Sequence, residues 1–201
     1  MVTSMARPRQ FDEDAVLAAS AKLFRVNGFA DTSTEQLCSA SGLGRSSLYN
    51  TFVSKDELFV RALEHYTSVT RARQEAMLQA SNTTAAHRIR MLIDAVVDEE
   101  AHAAHAAGCM TVNTLMTPDH RHRDPRIAET LDRDLRARLD SLVGAIQEGH
   151  IDRSIDDSVS AEDVAWLIVT VISGIRVSSQ AGASPELLRR VGHDGIRSLF
   201  A

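Results

Sequence analysis

The sequence predicts an all-α protein: an N-terminal three-helix head carrying a helix-turn-helix, then a larger C-terminal helical bundle, about nine helices in all. Three observations predict this. Apolar residues recur at i, i+3, i+4 spacing along most of the 201 residues, and no stretch alternates with the period of two that marks a strand. Ser-x-x-Glu/Gln boxes and single glycines punctuate that pattern at helix-length intervals. Glycine and proline number only 10 and 4, against 44% apolar residues, enough to fill a core.

The first helix is expected from Phe11 to Asn27. Val16, Leu17, Ser20, Leu23 and Phe24 lie along one face, acids at 12–14 suit the dipole of the first turn, and Gly28 is the expected stop. Ser33 with Gln36, or Thr32 with Glu35, caps a brief second helix whose Leu37 and Cys38 face inward and which Gly42 closes. A third short helix runs from about Arg45 to Thr51. Ser54 and Glu57 form another box and open a long fourth helix, about 55–80.

Beyond "SNTT" a fifth helix covers about 84–106, and Gly108 separates it from a short sixth within "CMTVNTLM". "TPDHRHRDP" reads as a loop, followed by a long amphipathic seventh helix at about 125–150. Ser160 caps an eighth near 161–180. Ser184-Pro185-Glu186 opens a ninth, with proline at the first helical position, running nearly to the end.

The totals bound the function. A net charge of −5 argues against a non-specific polycation but permits a local basic patch. Two cysteines, Cys38 and Cys109, make no disulfide framework. "MVTSMARPRQ" has no apolar stretch of the secretory kind, and "VAWLIVTVISGI" is too short to span a bilayer, so a cytoplasmic protein without membrane contact is expected. Ser-x-x-Lys, Gly-x-Ser-x-Gly, phosphate-loop and His-Glu-x-x-His motifs are missing. No catalytic residue, cofactor or metal is predicted, and an enzyme is not expected. His102 and His105, three apart with His120 and His122 beyond, have metal-like spacing without a fixed third ligand.

The chemistry concentrates at "SASGLGRSSLYNTFVSKDELF", residues 39–59. Two short helices around Gly-Leu-Gly make a helix-turn-helix. Leu48 and Phe52 anchor the second helix inward, leaving Arg45, Ser46, Ser47, Tyr49 and Asn50 exposed. Arg and Asn can read guanine and adenine edges bidentately, and Tyr49 can reach a phosphate. Lys55 sits at a helix start, where backbone N–H groups also attract anions. No acid occurs between Glu35 and Asp56, as approach to a polyanion requires. Thr32 and Thr34 flank the start of the second helix and complete the expected DNA-binding set. Arg7 and Arg9 could form a minor-groove arm.

Here "ASAKLFRVNGFADTSTEQLCSASGLGRSSLYNTFVSKDELFVRAL" resembles the N-terminal domain of the tetracycline-repressor (TetR) family. The matching features include Leu23-Phe24, Gly28-Phe29, Thr32-Ser33, Leu48-Tyr49, Phe52 and Ser54-Lys55. The resemblance implies a dimeric repressor of a palindromic double-stranded operator. It also implies a recognition helix at 45–51 and a helical C-terminal domain that takes a small-molecule effector. Residues 1–54 would then be the DNA-binding domain and 55–201 the ligand-binding and dimerisation domain. Two departures stand out. Gly44 replaces the Ser or Thr that often caps the recognition helix, and Cys38 stands where Ala is usual.

The eighth helix is apolar almost all round, which requires burial on two sides. The economical solution is an isologous homodimer through the eighth and ninth helices. Leu167, Val171 and Ile175, with Leu188, Val191 and Leu199, are the expected interface. The middle helices suit a mostly apolar effector, for which Met91, His102, Cys109, Asn113, Met116, Trp166 and Thr170 are candidates. Cys109 offers an alternative, sensing oxidants or electrophiles, although no cation lies near it in sequence.

Overall fold

The computed structural model describes residues 11–102, 108–117 and 123–200. Among these residues it forms nine α-helices and no strand. In chain order they are α1 (Glu13–Asp31), α2 (Thr34–Ser41), α3 (Arg45–Phe52), α4 (Lys55–Leu78), α5 (Ala85–His102), α6 (Met110–Leu115), α7 (Pro125–Ile151), α8 (Ala161–Gln180) and α9 (Pro185–Gly195). A 3-10 turn, Arg197–Leu199, ends the chain. No helix among the described residues is long and apolar enough to cross a membrane.

The caps predicted from side-chain chemistry form. Ser33 and Gln36 make the reciprocal box at α2: Gln36 N–H donates to Ser33 Oγ at 3.1 Å and Ser33 N–H to Gln36 Oε1 at 2.8 Å. Ser54, Ser160 and Ser184 each accept a backbone N–H three residues on. Asp124 accepts from Arg126 N–H at the start of α7, with Pro125 at its first helical position.

Two element ends differ from expectation. Gly28 breaks the α1 geometry with φ 74°, as a stop should, but helical turns resume through Asp31 before the chain extends at Thr32. The ninth helix ends at Gly195. The tail folds back instead, Asp156 N–H donating to Leu199 O at 3.0 Å and Ile155 pairing with Phe200. That return buries Ile196 and Leu199, which a continuing helix would have carried away from the bundle.

Among the described residues there are two apolar cores, and α4 belongs to both. The head core joins Val16, Phe24, Phe29, Leu37, Leu48 and Phe52 to Leu58, Phe59, Leu63 and Tyr66 of α4. Phe59 meets Phe24 and Phe29 edge-on, with ring centroids 5.0 and 5.2 Å apart. Cys109 and Met110, with Ile127 and Leu131 of α7, also belong to this core. The bundle core takes Leu78 from the far end of α4 with α5, α7, α8 and α9. Gly192 lets α9 close on α5 and α8, since a Cβ there would lie 2.9 Å from Ile93 and 3.0 Å from Ile175. A shift of α4 is therefore felt in both cores.

Candidate nucleic-acid interface and sensor cavities

The turn between α2 and α3 is set by Gly42, whose φ of 68° is the left-handed conformation that closes a helix. Leu37, Leu48 and Phe52 are each no more than 2% exposed and fix how α3 sits on the head. Arg45, Ser46, Ser47 and Asn50 are left exposed on its outer face. Tyr49 is half-buried, its hydroxyl 2.8 Å from Thr34 Oγ1, and this bond ties α3 to α2. The Arg45 guanidinium lies 5.9 Å from the Tyr49 ring centroid, so the long side chain is pre-oriented. Gly44 supplies no side-chain cap, as the sequence foretold.

Thr32 is misassigned as a DNA contact. It is fully buried, and its hydroxyl donates to Gly28 O at 2.6 Å. It secures the break in α1 rather than reaching outward. Lys55 stands at the start of α4 beside the head, its Nζ 4.5 Å from the Phe29 ring and 3.4 Å from Ala30 O. Partial burial, together with the nearby Arg123, holds its pKa below the ordinary lysine value despite Asp56 and Asp31. Arg7 and Arg9 lie outside the described residues, as do His105, His120 and His122.

The proposed effector residues are not brought together. Met91, Met116, Trp166 and Thr170 lie on the outside, with Met116 74% exposed. Periodicity marked them as apolar or adjacent to apolar residues but could not tell inner faces from outer ones. His102 lines a wide cleft of about 720 Å³ between α1, α4 and α5, with Tyr66, Arg25 and Glu99 along its wall. Asn113 is structural in this state: its amide donates to Arg25 O at 3.1 Å and accepts from Gln180 at 2.9 Å, joining α6 to α1 and α8. A Cβ on Gly108 would lie 1.8 Å from Gln180 Nε2, and Arg25 Nε donates to Gly108 O at 2.9 Å. The approach to α6 is thus gripped from both sides.

Behind Tyr66 lies a buried ionic cluster that sequence reasoning missed. Arg176 of α8 is 1% exposed; it donates to Glu100 at 2.7 Å and to Glu99 at 3.2 Å. Glu99 is also 3.8 Å from Arg25. The signal was available: one arginine in the apolar run of α8, and adjacent glutamates on α5. Cys109 is fully buried beside this cluster, with the Tyr66 hydroxyl 3.5 Å from its Sγ. Burial alone would push the thiol up. The guanidiniums of Arg176 and Arg138, with the Tyr66 hydroxyl, outweigh it and hold Cys109 below the usual thiol range. The cations absent from the neighbouring sequence come from distant helices. Tyr66 shifts the other way, raised by burial and by the facing thiol.

On the opposite side, Val164, Ile168 and Ile172 of α8 enter the bundle core, while Trp166, Leu167 and Val177 stay exposed, as do Leu187 and Val191 of α9. Among the expected interface residues, Leu167 and Val191 lie on this outer face, with Val171 half-buried at its edge. Ile175, Leu188 and Leu199 are corrected: at 3–6% exposure they pack within the protomer's own core and cannot reach a partner.

The family profile "Bacterial regulatory proteins, tetR family" matches residues 16–62. The profile "Tetracyclin repressor-like, C-terminal domain" matches residues 85–193, more than half of the chain. The HTH-type transcriptional repressor ComR of Escherichia coli is 27% identical over 196 residues, covering 96% of this chain and 91% of its own. The repressor BdcR of Escherichia coli is 26% identical over 182 residues, covering 90% and 86%. Among solved structures, a cysteine mutant of the regulator CifR complexed with 26-bp operator DNA superposes with a TM-score of 0.80 at 23% identity, over 96% of this chain and 100% of its own. Reduced NemR of Escherichia coli gives 0.81 at 20%, over 94% and 96%. With a regulatory helix-turn-helix at one end and a repressor-like bundle at the other, this chain belongs to the TetR family of bacterial transcription regulators.

Proposed function

We propose that the chain is a homodimeric repressor whose α3 helices enter successive major grooves of a palindromic operator, and that a small effector releases it. The observation that carries this reading is the outer face of α3: Arg45, Ser46, Ser47 and Asn50 exposed, free of acids, on a helix fixed by Leu48 and Phe52. Residues 1–54 supply the head, and 55–201 supply effector binding and pairing. The outer stripe of α8 and α9 pairs the protomers, placing the heads about 34–36 Å apart or at a larger fixed spacing. An effector acts by moving α4, which the two cores share. Leu167→Glu places a charge on the pairing face. Sedimentation should show a monomer, with operator affinity reduced by at least about a hundredfold as the second head is lost. A dimer with unchanged affinity rejects the pairing face.

A second reading is favoured by the place of Cys109, its Sγ 3.5 Å from the Tyr66 hydroxyl and its thiol held below the usual range by the guanidiniums of Arg176 and Arg138. The thiolate adds to an electrophilic C=C, forming one S–C bond while the adjacent carbon takes a proton from water. The adduct then displaces Tyr66 and with it α4. N-ethylmaleimide should release DNA from the native protein and from Cys38→Ser but not from Cys109→Ser. Equal release from all three proteins refutes this reading.

A further inference from the structure

Val53 ends α3, and its backbone is strained. Among the described residues, Val53 and Arg153 take a positive φ without being glycine. At Val53 φ is 60° and ψ −47°, and across it Ser54 N–H donates to Phe52 O at 2.5 Å. This is the rare, strained form of the γ-turn. A β-branched residue suits it badly, whereas glycine, and to a lesser degree asparagine, takes a positive φ at lower cost. Burial does not hold the valine there. It is 79% exposed, while Leu48 and Phe52 beside it are buried.

The same φ decides where the side chain goes. With φ at 60°, rather than the helical value of about −60°, Cβ takes the place that a continuing helix gives its carbonyl carbon. The isopropyl group therefore prolongs α3 as its tip, three residues past Asn50. It lies within the run between Glu35 and Asp56 that holds no acid.

We propose that Val53 is a further base-reading residue, packing its isopropyl group on a thymine C5-methyl in the major groove; this rests on the repressor reading above. Base edges in that groove present donors and acceptors, which Arg45, Ser46 and Asn50 can meet, and one apolar group, the thymine methyl. A side chain without a polar atom can recognise only the last of these. Three residues of helix rise about 4.5 Å and one base step about 3.4 Å, so the thymine lies one base pair past the base that faces Asn50. Packing on a sugar would be apolar too, but it would not depend on sequence.

The test uses the operator that the full-length protein selects from a random pool. Each symmetry-related pair of thymines is replaced by deoxyuridine, which removes the methyl and keeps every hydrogen-bonding group. One replacement, a base pair away from the position that Asn50→Ala relaxes, should weaken the native protein about fourfold per half-site and about fifteenfold for the dimer. Val53→Gly and Val53→Asn keep the turn without its apolar tip, and each should bind the thymine and deoxyuridine operators equally. Val53→Gly should also unfold at a temperature no lower than the native protein, because it relieves the turn. A native protein indifferent to every deoxyuridine replacement overturns the proposal, as does a methyl effect that persists in both variants. Earlier unfolding of Val53→Gly overturns it as well, since the side chain would then serve the fold. If no duplex is selected, the repressor reading fails and this proposal with it. Inverted repeats selected without methyl dependence at that position defeat this proposal alone.

Discussion

Replacing Arg176 by Met is expected to cost about 3–5 kcal/mol of stability, read by denaturant unfolding, although the residue touches neither DNA nor the exterior. Arg176 is 1% exposed and neutralises Glu100, whose side chain has no exposure at all. Removing the guanidinium strands a carboxylate in the core, and the same contact holds α8 to α5. The loss should depend on pH. Burial already pushes Glu100 up against the pull of Arg176 and Arg25. A carboxyl raised in the fold favours the folded state when protonated, below its unfolded value, and loses that benefit as pH rises through the folded value. Without Arg176 the rise is larger. The variant should therefore recover stability relative to wild type on going from about pH 8 to about pH 5. A loss independent of pH would assign Arg176 to packing alone.

Arg45→Ala should relax base preference at one position of each half-site by about 1–3 kcal/mol, and so at two symmetry-related positions of the operator. Asn50→Ala should do the same at a neighbouring position. Tyr49→Ala should instead lower affinity for all sequences together, because Tyr49 is bonded to Thr34 and sits beneath Arg45. Binding to a panel of single-base operator variants separates these outcomes. Equal loss on every sequence for Arg45→Ala would remove it from base readout.

The head was legible because its information is local. Ser33 and Gln36 cap within four residues, Gly42 turns the chain, and Leu48 and Phe52 sit one helical turn apart. The bundle was less so. Periodicity in α8 gave a helix with apolar residues on more than one face. It could not say that Ile175 meets Ile93 and Gly192 inside the protomer while Leu167 faces out. Met91 and Met116 read as an apolar lining, yet no short-range signal tells that both side chains turn toward solvent. The cluster around Cys109 is long-range by construction. Arg138 and Arg176 lie 29 and 67 positions along the chain from that thiol, and only the folded bundle makes them its neighbours.

The most direct measurement is selection of bound duplexes from a random pool by the purified protein, repeated with Arg45→Ala. Two α3 helices related by a two-fold axis predict enrichment of inverted repeats at one fixed spacing, with Arg45→Ala losing the same base in both arms. Enrichment of a single unrepeated site, or a pool as random at the end as at the start, would contradict it.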